Sequence, residues 1–166
     1  MEKMLKLGPK EMKGEIWDEK GSTNILEILT SHQQDSINSI QFTCNTDGEV
    51  FLAETHGEPT GMKFKTVAFD YSNNEYLTSI SGEYDNGRLV SIVFGTNKKK
   101  YGPFGRTGSK SDETSYDDFC FEFGPRNCFG GFHGSVFNGC VHAIGVYVKQ
   151  YTSYADDEDS IYHLLH

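Results

Sequence analysis

The residues of this sequence best suited to acid–base chemistry stand close together near its C-terminal end. Cys140 and His142 are two positions apart, and an imidazole can accept or donate a proton near neutral pH. A nucleophilic cysteine also needs a third group that orients its base, and none is identifiable beside this pair. The sequence has no Gly-x-Ser-x-Gly phrase, zinc motif or phosphate-binding loop. Enzyme activity therefore stays open, but the pattern favours a protein that binds a ligand without transforming it.

The four cysteines form neither a metal motif nor a redox pair. They lie at positions 44, 120, 128 and 140, with no Cys-x-x-Cys and no zinc-finger spacing of His and Cys. We expect free thiols, buried or inert except at the loop position Cys140, and neither metal nor cofactor. A set of disulfides is the alternative. Residues 1–8 lack the apolar core of a secretory signal, so we expect a cytoplasmic or nucleocytoplasmic protein.

The charge balance narrows the choice of partners. The formal net charge is −9 and the isoelectric point is about 5.0, whereas nucleic acids and anionic membranes attract basic surfaces. No stretch approaches the roughly 20 apolar residues of a membrane span. The one basic run, Lys98–Lys100, is interpreted as a solvated strand edge. We therefore expect neither a nucleic acid nor a membrane as partner.

The hydrophobic pattern predicts an all-β domain over residues 1–150, followed by an acidic extension over residues 151–166. Short alternating runs are separated by turn residues, and Asp85-Asn86-Gly87 is the clearest hairpin turn. Trp17 is expected to pack in the core. Residues 109–118 form a polar, acidic loop. The predicted strands are Ile25–Leu29, Ile37–Cys44, Val50–Glu54, Lys63–Phe69, Leu77–Tyr84, Leu89–Thr96, Cys120–Phe123, Cys128–His133 and Val141–Gln150.

A faint internal repeat accompanies these strands. Residues 38–40, 78–80 and 142–144 each end in a small residue followed by isoleucine, at the start of an alternating run. Three similar units suit three sheets packed around one axis. The pattern thus predicts that Ile40, Ile80 and Ile144 face a shared core.

Two longer phrases resemble a known family. Residues 96–105 read Thr-Asn-Lys-Lys-Lys-Tyr-Gly-Pro-Phe-Gly, and residues 130–134 read Gly-Gly-Phe-His-Gly, with Ala-Ile-Gly-Val-Tyr-Val at 143–148. Together they resemble the jacalin-related lectins, especially the single-chain mannose-binding branch, over Leu7–Val148. The resemblance implies a β-prism of three four-stranded antiparallel Greek-key sheets with pseudo-threefold symmetry. It also implies a plant protein of stress or defence that binds mannose- or glucose-type glycans.

The resemblance also locates a sugar site. In the family, the aspartate of a Gly-x-x-x-Asp loop accepts hydrogen bonds from sugar hydroxyls, and a glycine of an N-terminal loop supplies an amide. Here the window is residues 138–142, where Asn replaces the glycine and His replaces the aspartate. Neutral imidazole offers one acceptor nitrogen and protonated imidazole none. The implied ligand-binding residues are Gly14, Asn138, Gly139, Cys140, Val141 and His142.

The other two repeat units contain positions equivalent to His142, and two other functions remain as alternatives. The equivalents of His142 in the other units are expected at Asn38 and Thr78, neither of which is a carboxylate. The leading hypothesis is a lectin-like protein with weakened or altered glycan specificity. A protein-interaction scaffold that no longer binds sugar is the second, and an enzyme using His142 is the third. A homodimer stays an open alternative.

Overall fold

The computed structural model of the chain describes residues 3–107, 116–124 and 128–150. The predicted extension 151–166 and most of the predicted acidic loop lie outside these ranges. Within these ranges a single 3-10 helix, Tyr71–Asn73, accompanies the strands, and no helix there is long and apolar enough to span a membrane. The strands are β1 (Lys3–Leu7), β2 (Glu15–Asp18), β3 (Ile25–Gln33), β4 (Ser36–Thr46), β5 (Glu49–Leu52), β6 (His56–Gly57), β7 (Lys63–Ala68), β8 (Leu77–Asp85), β9 (Arg88–Thr96), β10 (Lys100–Gly105), β11 (Tyr116–Glu122), β12 (Phe129–Phe137) and β13 (Cys140–Gln150).

The strands form three antiparallel sheets, which confirms the predicted fold class. Their orders are β1-β13-β12-β2, β10-β9-β8-β11 and β5-β4-β3-β7. Each sheet is built around a central hairpin of two long strands. The third sheet differs from the expected four strands because β6 also pairs with β4, through Ser39 and Ile40.

Four strands were not predicted from the sequence. They are β1, β2, β6 and β10, and all are short. The strand β6 begins the segment His56-Gly57-Glu58-Pro59, whose composition is typical of a turn. Such strands exist because longer neighbours offer a free edge, and strand propensity depends strongly on that context.

The tight turns of the hairpins follow from Asn-Gly and Asp-Gly dipeptides. Asn86 and Gly87 have φ of 51° and 81°, and Asn138 and Gly139 have φ of 53° and 77°. Two successive residues with positive φ form the turn whose twist matches that of the flanking strands. The hairpin predicted at residues 85–87 is confirmed.

The second strands of the three hairpins, β4, β9 and β13, pack against one another at the centre of the molecule. Ile40, Ile92 and Ile144 have no exposed surface, and neither does Ile80. The predicted burial is therefore confirmed, and Trp17 is also buried. The prediction that Thr78 is the third equivalent of His142 is wrong. The equivalent residue lies four positions after the start of each hairpin turn, at His142, Asn38 and Val90.

Each of these three residues is the extra residue of a β-bulge. The register of the hairpins jumps from Ser135↔Ala143 to Val136↔Val141, from Ser31↔Ser39 to His32↔Ile37, and from Glu83↔Ser91 to Tyr84↔Leu89. A bulge redirects a side chain away from the regular alternation of a strand. The threefold repeat thus lies in the turn and the bulge that follows it.

Candidate ligand-binding site

The window predicted to bind sugar is a tight hairpin turn followed by a bulge. Asn138 and Gly139 form the turn between β12 and β13. Cys140 begins β13, and the bulge leaves His142 opposite no residue of β12. This geometry separates the side chain of His142 from those of its neighbours in sequence.

His142 lies among an aromatic ring and two cationic side chains. The Phe137 ring meets the imidazole edge-on, with centroids 5.6 Å apart, and Lys13 Nζ stands 4.3 Å from the centroid of that ring. Burial lowers the pKa of His142, and the charges of Lys13 and Arg88 lower it further. The imidazole therefore remains neutral to a more acidic pH than an ordinary histidine.

Only one nitrogen of His142 is suited to meet a ligand. Its Nδ1 atom is buried without a hydrogen-bond partner among the described residues, so Nε2 is the ring nitrogen left to contact a ligand. A neutral imidazole can present one acceptor or one donor at that atom, depending on its tautomer. It cannot reproduce the two acceptor oxygens of a carboxylate.

A cleft of about 370 Å³ lies beside His142. It is bounded by the N-terminal loop after β1, by the turn at Gly87 and by β11. Carboxylates and aromatic or imidazole rings line this cleft. A concave site with apolar surface and a few polar groups is typical of small-molecule binding. Its side chains include Glu11, Asp117, Asp118, Tyr84, Phe119 and His142.

The other residues predicted for the site do not line this cleft. Val141 has no exposed surface, and Cys140 is half-buried with its Sγ 4.0 Å from Asn38 Nδ2. Asn138 and Gly139 line a separate groove. Their roles as ligand-binding residues stay a prediction.

Gly14 packs directly against the site hairpin. A Cβ atom at Gly14 would lie 2.1 Å from the carbonyl oxygen of Val136, and the residue has φ of 97°. A side chain there would push the N-terminal loop away from β12. Gly14 therefore positions the loop that forms one wall of the cleft.

Cys140 is poorly suited to nucleophilic chemistry. Burial raises the pKa of its thiol, and the charge of Glu58 raises it further, against an opposing effect of Arg88. The thiolate is the reactive form, so the environment reduces its reactivity. Contrary to expectation, the exposed thiol is Cys120 on β11.

Tyr84 connects the second sheet to β13 next to His142. Its hydroxyl accepts a hydrogen bond from the Ile144 N–H and donates one to the Ile144 carbonyl, both at 3.1 Å. Burial raises the pKa of Tyr84 to about 12, so the phenol stays protonated. This contact holds the strand that carries His142 against the neighbouring sheet.

The equivalent positions of the other two units are closed. Asn38 is 6% exposed, and its Oδ1 accepts a hydrogen bond from Ser36 Oγ at 3.0 Å. Val90 has no exposed surface. Of the three bulge residues, His142 is thus the one with an accessible polar side chain.

Sequence reasoning missed the cleft residues Glu11, Asp117, Asp118 and Phe119. They come from the N-terminal loop and from β11, more than 100 positions apart, and no local motif joins them. The described residues hold no group of three or more His, Cys, Asp or Glu side chains suited to a metal ion.

Comparison with known proteins agrees with the fold. A family model described as the jacalin-like lectin domain matches residues 7–147. The chain is 38% identical to the protein RESTRICTED TEV MOVEMENT 1 of Arabidopsis thaliana over 142 residues, which cover 82% of this chain and 78% of that protein. It is 35% identical to Jacalin-related lectin 2 of Arabidopsis thaliana over 141 residues, which cover 80% and 76%.

A solved structure is similar over nearly the whole molecule. The mannose-specific jacalin-related lectin of Morus nigra, solved in complex with mannose, superposes with a TM-score of 0.68 at 29% identity. The match covers 90% of this chain and 94% of that one. With its three antiparallel sheets and its spaced motifs, this chain belongs to the jacalin-related lectin family.

Proposed function

We propose that this chain is a carbohydrate-binding protein whose glycan preference differs from that of its mannose-binding relatives. The observation that carries the proposal is the accessible His142 beside the 370 Å³ cleft, at the position where the resemblance implies a sugar-binding aspartate. Binding residues are commonly carried on loops and strand ends held by a rigid scaffold. The three packed sheets supply such a scaffold.

The chemistry of the cleft argues for altered specificity. An aspartate accepts charge-assisted hydrogen bonds from two sugar hydroxyls, each contributing about 1.5–3 kcal/mol. His142 supplies at most one neutral acceptor. The carboxylates of Glu11, Asp117 and Asp118 line the same cleft from other directions. A sugar whose hydroxyls donate hydrogen bonds to these carboxylates would be oriented differently from mannose bound to an aspartate at position 142.

The decisive experiment compares the natural chain with three variants by isothermal titration with methyl mannoside. We expect weak or undetectable binding by the natural chain and measurable binding by His142→Asp, with a larger gain when Asn138→Gly is added. His142→Asn is the matched control, because it supplies an acceptor without charge. Recovery of one charge-assisted hydrogen bond corresponds to about tenfold or more in affinity.

Two outcomes would contradict the proposal. One is strong binding of mannose by the natural chain that does not change with pH. The other is a folded His142→Asp/Asn138→Gly variant that binds no sugar at all.

A glycan array at two pH values tests the role of the imidazole. If neutral His142 accepts a sugar hydroxyl, binding should be constant above pH 6.5, since its pKa lies below the ordinary value. Binding should fall only at a pH below that lowered pKa, when the acceptor is lost. A ligand whose binding strengthens on acidification would instead use the protonated ring as a donor.

A protein-interaction scaffold is the second candidate. It is favoured by the similarity to RESTRICTED TEV MOVEMENT 1, whose name describes an effect on movement and no sugar. Silence on the glycan array together with a reproducible protein partner would support it. A nucleocytoplasmic location and a role in stress or defence are further proposals, to be tested by localising the tagged protein in plant cells.

A further inference from the structure

A second concave surface lies between two sheets and shares no lining residue with the cleft beside His142. It is a groove of about 930 Å³ between β2 and residues 51–58, which include β6 and the end of β5. We call it the β2–β5 groove. Its size is at the upper end of the range usual for ligand pockets, so it can hold a longer ligand than the cleft.

The β2–β5 groove is acidic. Its rim carries Glu15, Glu54 and Glu58, all exposed, and none forms an ion pair with another described residue. Lys20 is the one lysine or arginine among the lining residues. Because the carboxylates of Glu15, Glu54 and Glu58 outnumber this one ammonium group, the groove attracts a positively charged ligand.

The groove also has exposed apolar surface. Ile16 is 56% exposed, Phe51 49% and Leu52 63%. These side chains belong to β2 and β5, on facing sides of the groove. Exposed apolar residues rimmed by charge commonly mark an interaction surface.

Both strands are unpaired on one side in the described structure. β2 is the last strand of the sheet β1-β13-β12-β2, and β5 is the last strand of the sheet β5-β4-β3-β7. An open edge presents backbone N–H and C=O groups that can pair with an added extended chain. The geometry of the groove therefore suits an extended peptide better than a compact ligand.

The floor of the groove contains two stacked rings and a hydrogen bond between His56 and Glu19. The Trp17 and His56 rings stack with centroids 3.9 Å apart and planes 10° apart. His56 is also bonded to Glu19, and Trp17 Nε1 is buried without a partner among the described residues. Packing from two sheets holds these side chains in place, so the floor needs little ordering when a ligand binds.

We propose that the β2–β5 groove binds an extended segment of a partner protein that alternates basic and apolar residues. The segment adds to the free edge of β2, its lysine or arginine side chains face Glu15, Glu54 and Glu58, and its apolar side chains contact Ile16, Phe51 and Leu52. The groove is lined by Asn138 and Gly139 of the predicted sugar site, but it shares no lining residue with the cleft beside His142.

The test uses the intrinsic fluorescence of Trp17, which is the only tryptophan of the chain. The probe is an acetylated peptide of about eight alternating lysine and valine residues, added to the full-length protein at low ionic strength. A matched peptide has glutamate in place of lysine. A third has proline at alternate valine positions, which removes backbone donors needed for strand pairing.

Two variants with equal charge changes separate the groove from the general acidity of the protein. Glu15→Gln/Glu54→Gln removes two groove carboxylates, and Glu27→Gln/Glu122→Gln removes two exposed carboxylates outside the groove. We expect the first variant to bind the lysine peptide at least about fivefold more weakly, and the second to change affinity by less than about twofold.

The remaining outcomes also decide the matter. His142→Asp, which should bind methyl mannoside, should bind the lysine peptide with unchanged affinity whether or not the sugar is present, so that failure of this proposal and failure of sugar binding are told apart. Equal binding of the three peptides, equal effects of the two variants, or no binding of the lysine peptide would overturn the proposal. Self-association of the protein that Glu15→Gln/Glu54→Gln abolishes would overturn it as well, by assigning the groove to a second copy.

Discussion

The contact between Tyr84 and Ile144 is the part of the site whose removal tests the structure most directly. β1 pairs with β13 only as far as Leu7 opposite Val146. The N–H and C=O of Ile144, which point toward the β1 side of β13, therefore have no partner strand. The Tyr84 hydroxyl satisfies both groups at 3.1 Å. Ile144 itself has no exposed surface, so Tyr84→Phe leaves two buried backbone groups unpaired.

The magnitude follows from the cost of such groups. Leaving one buried donor or acceptor unpaired costs about 1–3 kcal/mol. Tyr84 lines the cleft beside His142, through which water can reach these groups and recover part of that cost. We therefore expect a loss of about 2–3 kcal/mol in the free energy of unfolding. In a domain of this size the melting temperature should fall by roughly 4–12 °C.

The assay is urea unfolding of the natural chain, Tyr84→Phe and Tyr71→Phe, with native-state exchange of the Ile144 amide. Tyr71 is 49% exposed, so its variant should change stability by less than about 0.5 kcal/mol. The Ile144 amide should lose protection in Tyr84→Phe beyond what the global loss of stability explains. A loss under about 0.5 kcal/mol in Tyr84→Phe, or unchanged exchange at Ile144, would refute the reasoning.

Two further predictions concern protons and thiols. Burial lowers the pKa of His32, His133 and His142 below 6.5, so the unfolded chain binds protons first as the pH falls. Stability should be complete above pH 6.5 and decline as the pH drops from there toward the native pKa values, which urea midpoints between pH 8 and 5 will measure. Stability that rises over this acidic interval would contradict the assignment. For the thiols, Cys120 is exposed and Cys44 and Cys128 are buried, and burial raises the pKa of Cys44 to about 11. A thiol reagent should therefore label Cys120 first in the native protein, and Cys120→Ser should remove the fast phase. Two disulfides found by mass spectrometry would contradict the expectation of free thiols.

Much of the fold follows from local sequence. Alternating apolar residues define the long strands β3, β4, β8, β9, β12 and β13, and Asn86-Gly87 defines a hairpin, because side-chain period and positive φ are properties of a few adjacent residues. The spaced phrases at residues 96–105 and 130–148 identify the family. They also place His142 where the sugar-binding aspartate is expected.

Tertiary structure decided the rest. The short strands β1, β2, β6 and β10 form because neighbouring strands offer an edge, which no local pattern encodes. The bulge at His142 became visible only in the pairing register, as did the equivalence of His142, Asn38 and Val90.

The candidate site shows the same division. The sequence indicated residues 138–142 as one unit, but the turn and bulge send Val141 into the core and His142 toward the cleft. Glu11 and Asp118 join His142 from distant parts of the chain, and Trp17 and His56 meet across two sheets. Contacts between residues so far apart in sequence depend on how the three sheets pack, and the local sequence around each residue carries no record of that packing.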